Sequence, residues 1–119
     1  MDKRETICAV VVTYNRKALL LECLESLLKQ TYPLDAIYLI DNASTDGTPE
    51  LLKEKGYIKN LLYSDKEPLE EEHSIRMFSE GHADQQVKVH YVRMNENTGG
   101  AGGFHEGVKR GYERGYNWL

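Results

Sequence analysis

Cysteine is scarce: Cys8 and Cys23 are the only two among 119 residues, which rules out a disulfide framework and a CxxC-type metal site. Such sparing use fits a reducing, cytosolic compartment. Long apolar runs are missing as well, and none approaches the roughly 20 residues needed to cross a bilayer. The charged start Met1-Asp2-Lys3-Arg4-Glu5 leads into about six apolar residues, shorter than the core of a secretory signal. A basic excess is lacking: the formal net charge is −4, which argues against nucleic acid as a partner. Nucleotides stay open, because a local cluster can oppose the global sign. No Gly-Lys-Ser/Thr follows the glycine cluster near the end, so there is no P-loop. His105-Glu106 begins like HExxH, but Lys109 stands where the second histidine belongs. His73, His82 and His90 are scattered and read as surface or packing residues. No linker, repeat or second domain interrupts a length that suits one modest core.

What is present begins with an apolar run at 36–40, followed at once by Asp41-Asn42-Ala43-Ser44-Thr45-Asp46-Gly47-Thr48. A strand that ends in a carboxylate, an amide, hydroxyls and a turn glycine places hydrogen-bonding groups at the carboxyl end of a sheet, where open α/β sheets bind ligands. A second run at 7–12 is followed by Thr13-Tyr14-Asn15-Arg16. Its Val-rich continuity suits a strand buried on both faces of a parallel sheet. Asn15 is expected to cap a helix carrying Leu20, Leu21, Leu24, Leu27 and Leu28 at helical spacing. Cys8 and Cys23 read as small core residues. Thr48-Pro49 reads as an N-cap and first-turn proline of a short helix that Gly56 stops. A third strand is expected at 87–93, where Val87, Val89 and Tyr91 alternate with Lys88 and His90.

Residues 60–86 read as an irregular, acidic insertion, with a helix expected over 67–80 and Glu70-Glu71-Glu72 as a solvated face. A third polar cluster, Asn95-Glu96-Asn97-Thr98-Gly99-Gly100-Ala101-Gly102-Gly103, reads as a glycine-rich loop leading into a helix over 104–116. Such a loop at a helix amino end is a seat for a diphosphate, or else a flexible connection. Gly107, Gly111 and Gly115 fall on one face of that helix, which points to close packing on the sheet or the first helix. Asn117-Trp118-Leu119 looks like the opening of another strand. Taken singly, each polar residue has a plain alternative. Asp41 could bond a base or ribose, or serve an Asx-turn. Thr13 and Tyr14 could pack on a base, or merely end a strand, and Arg16 could pair with a phosphate or face water.

Taken together, the three clusters resemble, in order and spacing, the inverting family 2 glycosyltransferases of GT-A fold. Gly99–Gly103 followed by Phe104 is most similar to the rhamnosyl- and galactofuranosyl-transferase branch. The resemblance implies an α/β fold: the three-layer, Rossmann-like, nucleotide-binding half of a GT-A domain, mainly parallel, with residues 1–119 as a single partial domain. It implies a UDP- or dTDP-linked sugar as donor, a saccharide acceptor and inverting transfer. By the same resemblance Thr13, Tyr14 and Arg16 contact the nucleotide, Asp41 bonds the base with Asn42 beside it, and Asn97, Gly99 and Gly100 lie along the ribose and diphosphate. The family's Asp-x-Asp metal motif and catalytic base would follow Leu119. A divalent cation, Mg or Mn, is therefore expected for the full-length enzyme only, with no metal-binding or catalytic residue in this chain, and the chain alone is expected to be inactive. A non-catalytic nucleotide-binding or regulatory α/β module is the alternative. A response-regulator-like domain ranks below both, because Thr13-Tyr14-Asn15 stands where its acidic cluster would be. Half a sheet leaves an open edge, so a homodimer through that edge is expected. The family's work on cell-surface polysaccharide implies a cytoplasmic location at the inner face of the membrane.

Overall fold

The computed structural model describes residues 6–29, 34–61, 63–76 and 86–117. The elements in chain order are β1 (Cys8–Thr13), α1 (Lys17–Lys29), β2 (Ala36–Asp41), α2 (Thr48–Glu54), β3 (Leu69–Arg76), β4 (Gln86–Arg93) and α3 (Gly99–Glu113). The four strands form one sheet in the order β1-β2-β4-β3. β1 and β4 both run parallel to β2, and β3 runs antiparallel to β4. The parallel register sets Thr13 opposite Asp41, and Asp41 opposite Arg93. One row of three strand ends thus carries a hydroxyl, a carboxylate and a guanidinium.

Helices cover both faces, giving the α/β sandwich expected of a mainly parallel sheet. On one face Leu20, Leu24 and Leu28 of α1 and Leu52 of α2 pack on Ile37, Leu39, Val87 and Tyr91. The spacing of those leucines is the amphipathic stripe that the sequence shows. On the other face α3 lies over β1 and β2, where Cys8, Tyr38, Ile40 and Val92 form a second core cluster. β2 is buried at every position, which accounts for its apolar sequence up to Asp41. No helix among the described residues is long and apolar enough to cross a membrane.

Several local expectations are corrected. Residues 69–76 form β3, not a helix, so the stretch 60–86 is not irregular throughout. Its acidic run is not a solvated face either. Glu70 Oε1 accepts from Arg110 Nη1 at 2.9 Å, while its Oε2 accepts from Arg114 Nη2 at 3.0 Å and from the Tyr38 hydroxyl at 3.1 Å. Glu71, on the opposite face, accepts from the backbone amides of Lys59 and Asn60. Pairing with β4 and with cations from α3 overrides the local preference. The glycine cluster is not a loop: Gly99–Gly103 is the opening of α3. Gly103, Gly107 and Gly111 are its buried residues, because α3 approaches the sheet too closely for side chains there. A Cβ on Gly103 would lie 2.7 Å from Val12 Cγ1, and one on Gly107 would lie 2.5 Å from Val10 Cγ1.

Capping differs as well. Asn15, at φ 49, does not cap α1; the amide of Lys17 instead donates to Asp46 Oδ2 at 3.3 Å. Gly47, at φ 88, is the N-cap of α2 in place of Thr48, whose amide donates to Asp46 Oδ1 at 3.1 Å. Cys8 is buried, but Cys23 is exposed. The strand expected to open at Asn117 falls mostly outside the described residues; Asn117 itself is a bend, and its Oδ1 accepts from the Thr6 amide at 2.7 Å.

His90 behaves as a packing residue: it stacks on Tyr38 at 4.4 Å between ring centroids, and its Nε2 lies 2.8 Å from the Tyr116 hydroxyl. Its Nδ1 faces Glu70 and Glu72, each at 3.6 Å. Burial alone would raise the Glu70 carboxyl, but His90, Arg110, Tyr38 and Arg114 outweigh it and lower the value from 4.5 to about 2. A depressed carboxylate adds stability that is complete above about 4.5 and fades as pH falls through about 2. Denaturation curves between these limits should therefore show the native protein losing stability more steeply than Glu70→Gln. Parallel pH profiles for the two would contradict this.

Candidate functional site

A pocket of about 650 Å³ opens at the carboxyl end of β1, between the first turns of α1 and the head of α3. Seven of the eight residues expected from the sequence line it: Thr13, Tyr14, Arg16, Asn42, Asn97, Gly99 and Gly100. They come from three stretches far apart in sequence, each leaving the end of a parallel strand. Val11, Val12, Leu19, Leu20 and Cys23 supply an apolar wall. An apolar wall with a few convergent polar groups is the usual make-up of a small-molecule site. Arg16 is the sole charged residue in this lining. It is exposed and makes no ion pair with a described residue. The amino end of α3 faces the same space through Gly99 and Gly100, adding the positive end of a 15-residue helix. The site is thus locally electropositive within a chain of net charge −4.

Local hydrogen bonds hold these groups. Asn42 Nδ2 donates to the Gly99 carbonyl at 2.9 Å, and its Oδ1 accepts from the Thr98 hydroxyl at 3.0 Å. The side chain just after β2 therefore docks the start of α3. Asn97 Oδ1 accepts from the Gly99 amide at 2.8 Å, satisfying one of the helix's first donors. Gly99 itself sits at φ 79, where a side chain would be strained.

Asp41, the eighth expected residue, does not line the pocket. It is fully buried beneath it. Its Oδ2 accepts from the Tyr91 hydroxyl at 2.6 Å and from Arg93 Nη1 at 3.0 Å, and its Oδ1 accepts from the Ser44 amide at 2.9 Å. Arg93 Nη2 donates to the Ser44 carbonyl at 2.9 Å. Burial pulls the Arg93 pKa down, but Asp41 and Tyr91 overcome this and raise it above its ordinary value, so the guanidinium stays charged. The Tyr63 ring lies 5.4 Å over that guanidinium. Sequence reasoning overlooked Tyr91, Arg93 and Ser44. The signal was there: Tyr91 and Arg93 continue the inward-facing alternation of Val87 and Val89 with polar groups, beside the strand that Asp41 ends.

Two residues of the surrounding loops hold left-handed backbone, Asn15 at φ 49 and Ala43 at φ 62. For alanine this costs about 1–2 kcal/mol. Among the described residues no group of three or more His, Cys, Asp or Glu side chains is arranged to hold a metal ion.

Comparison with known proteins agrees with this geometry. The family model for glycosyl transferase family 2 matches residues 8–63. The chain is 28% identical over all 119 residues to the galactofuranosyltransferase GlfT1 of Mycolicibacterium smegmatis, covering 30% of that protein. Over 47 residues, 40% of the chain, it is 47% identical to the glycosyltransferase GlyG of Streptococcus pneumoniae serotype 4, covering 16% of that protein. The chain thus spans less than a third of the length of either relative. No solved structure matches it significantly. The strand–helix–strand unit from β1 to β2, with Asp41-Asn42 at its end, lies inside the matched stretch, and these similarities support kinship with glycosyltransferase family 2.

Proposed function

We infer that the pocket binds the nucleoside diphosphate of a UDP- or dTDP-linked sugar, as the donor half of an enzyme that transfers the sugar to a saccharide acceptor with inversion. The observation that carries this reading is the convergence of three distant polar clusters on one apolar-walled pocket whose sole charged liner is Arg16. In this reading Thr13 and Tyr14 pack on the base, with Asn42 at its edge. Arg16 pairs with a phosphate, and Asn97, Gly99 and Gly100 let the diphosphate approach the head of α3. A divalent cation, Mg or Mn, serves the whole enzyme and takes no ligand from this chain. Galactofuranosyl transfer by the relative GlfT1 makes a related sugar a reasonable donor. The chain alone is expected to be inactive; robust sugar transfer by it would overturn that part.

Cys23 offers a direct test. Its exposed thiol lines the pocket, whereas Cys8 is buried and its thiol is pushed up to about 12 by desolvation first of all. UDP or dTDP should slow alkylation of Cys23 and bind in a calorimetric titration. Arg16→Ala should weaken that binding by about tenfold or more, the size of one charge-assisted hydrogen bond. If neither nucleotide protects Cys23 or binds at millimolar concentration, the donor reading fails.

A further inference from the structure

We propose that Asp41, Tyr91 and Arg93 are positioning residues that set the shape of the pocket's mouth without touching the ligand. The inference rests on the donor-binding reading above. None of the three lines the pocket, and all three are buried. Asp41 and Arg93 grip Ser44, and the Tyr91 hydroxyl donates to Asp41 at 2.6 Å. The Ser44 amide donates to Asp41 at 2.9 Å and its carbonyl accepts from Arg93 at 2.9 Å, so both of its backbone polar groups are clamped by one ion pair. The clamp needs a planar fork, because Arg93 spends Nη1 on Asp41 and Nη2 on Ser44.

Ser44 passes the constraint on. Its hydroxyl accepts from the Asn15 amide at 3.0 Å, and Asn15 Oδ1 accepts from the Thr45 amide at 2.7 Å. Asn15 stands between Tyr14 and Arg16, both pocket liners, and Ala43 follows the liner Asn42. Asn15 and Ala43 are the described non-glycine residues with positive φ, at 49 and 62. Such conformations persist only where surrounding contacts over-determine them. The contacts on hand are the Ser44 clamp and the Asn15–Thr45 bonds. Two hydrogen-bond steps thus run from Arg93, at the end of β4, to the loop that carries the pocket's cation. A buried ion pair is often replaceable by apolar residues without loss of stability. Apolar residues could not hold the amide and carbonyl of Ser44.

The test is Arg93→Lys, which keeps a positive charge beside Asp41 but cannot span both acceptors. Amide hydrogen exchange is measured at Asn15, Ser44 and Thr45, with Val10 and Tyr38 in the middle of β1 and β2 as references. Nucleotide affinity is measured alongside by titration with UDP and dTDP. Exchange at the three loop amides should quicken about tenfold, as one lost hydrogen bond allows, with the reference amides unchanged and affinity down by a similar factor. Ser44→Ala, which leaves the ion pair intact, should quicken Asn15 alone. Unchanged exchange at the loop amides, or a uniform rise that includes Val10 and Tyr38, would overturn the proposal. So would faster loop exchange with unaltered affinity. If the unsubstituted protein binds neither nucleotide, the donor reading falls, and the exchange data still decide whether the clamp holds the loops.

Discussion

Asp41→Ala is expected to destabilise the fold by about 3–5 kcal/mol, because it leaves the Arg93 guanidinium charged and buried without a counter-ion. Side-chain exposure is 10% for Arg93 and 0% for Asp41, so water can replace little of what is lost. The Tyr91 hydroxyl and the Ser44 amide lose their acceptor in the same step. Against a total stability of about 5–15 kcal/mol for a domain of this kind, that is a large share. Chemical denaturation measures it directly, and a loss under about 1 kcal/mol would refute the assignment. A companion variant separates burial from pairing. Asp41→Leu combined with Arg93→Met removes both charges, and buried pairs replaced in this way are often neutral or better. Most of the lost stability should return in the double variant, while the hold on Ser44 should not. Asp41→Ala is accordingly a poor probe of ligand binding, since an unfolded protein binds nothing.

Gly107→Leu is the second large effect, about 3 kcal/mol or more. Two terms oppose each other at this position. Any residue better than glycine in a helix gains up to about 1 kcal/mol. Overpacking a tight core costs about 1–3 kcal/mol, and more for a bulky side chain. The first added carbon alone would lie 2.5 Å from Val10 Cγ1 and 3.2 Å from Ile40 Cγ1. Both neighbours are β-branched and sit on strands, so neither has a flexible end to swing aside. The second term wins, and α3 must lift from the sheet. Because the head of α3 lines the pocket, the lift should also lower nucleotide affinity. Gly107→Ala should lose less, and adding Val10→Ala to it should recover part of that loss by opening room. A Gly107→Ala protein more stable than the parent would mean that α3 is not pressed against β1 as described.

Much of this was legible in the residues. β1, β2 and β4 announce themselves as Val- and Ile-rich runs, and α1 by its leucine spacing. The pocket liners stand immediately after strands, so their positions follow once the strands are placed. β3 was illegible because what makes it a strand lies elsewhere. Glu70 and Glu72 are tolerable on a sheet only because β4 brings His90 beneath them and α3 brings Arg110 and Arg114 above. The start of α3 was hidden for a similar reason: glycine's weak helix propensity argues for a loop, and only the sheet's nearness explains a helix there. Asp41 shows the limit most clearly. Its chemistry was plain, but its direction depends on strand parity, which carries it with Ile37 and Leu39 onto the face where Tyr91 also points. A carboxylate aimed that way reaches β4 before it reaches any ligand.

The strand order β1-β2-β4-β3 has a consequence for how the chain tolerates change in length. β1, α1, β2 and α2 close on themselves through neighbours in sequence, and the family match over 8–63 ends before β3 begins. The β3–β4 hairpin joins that unit along one seam, the ladder from Ala36↔Lys88 to Asp41↔Arg93. Lengthening the connection between Tyr63 and β3 adds mainly the entropy of closing a longer loop, about 0.6 kcal/mol for each doubling, and leaves the buried Tyr57 and Ile58 in place. The hairpin is therefore an exchangeable cassette. Its exposed positions can change without re-registering β1 or β2, as long as the buried Val87, Val89, Tyr91 and Val92 are kept and an arginine still arrives opposite Asp41 at the end of the seam.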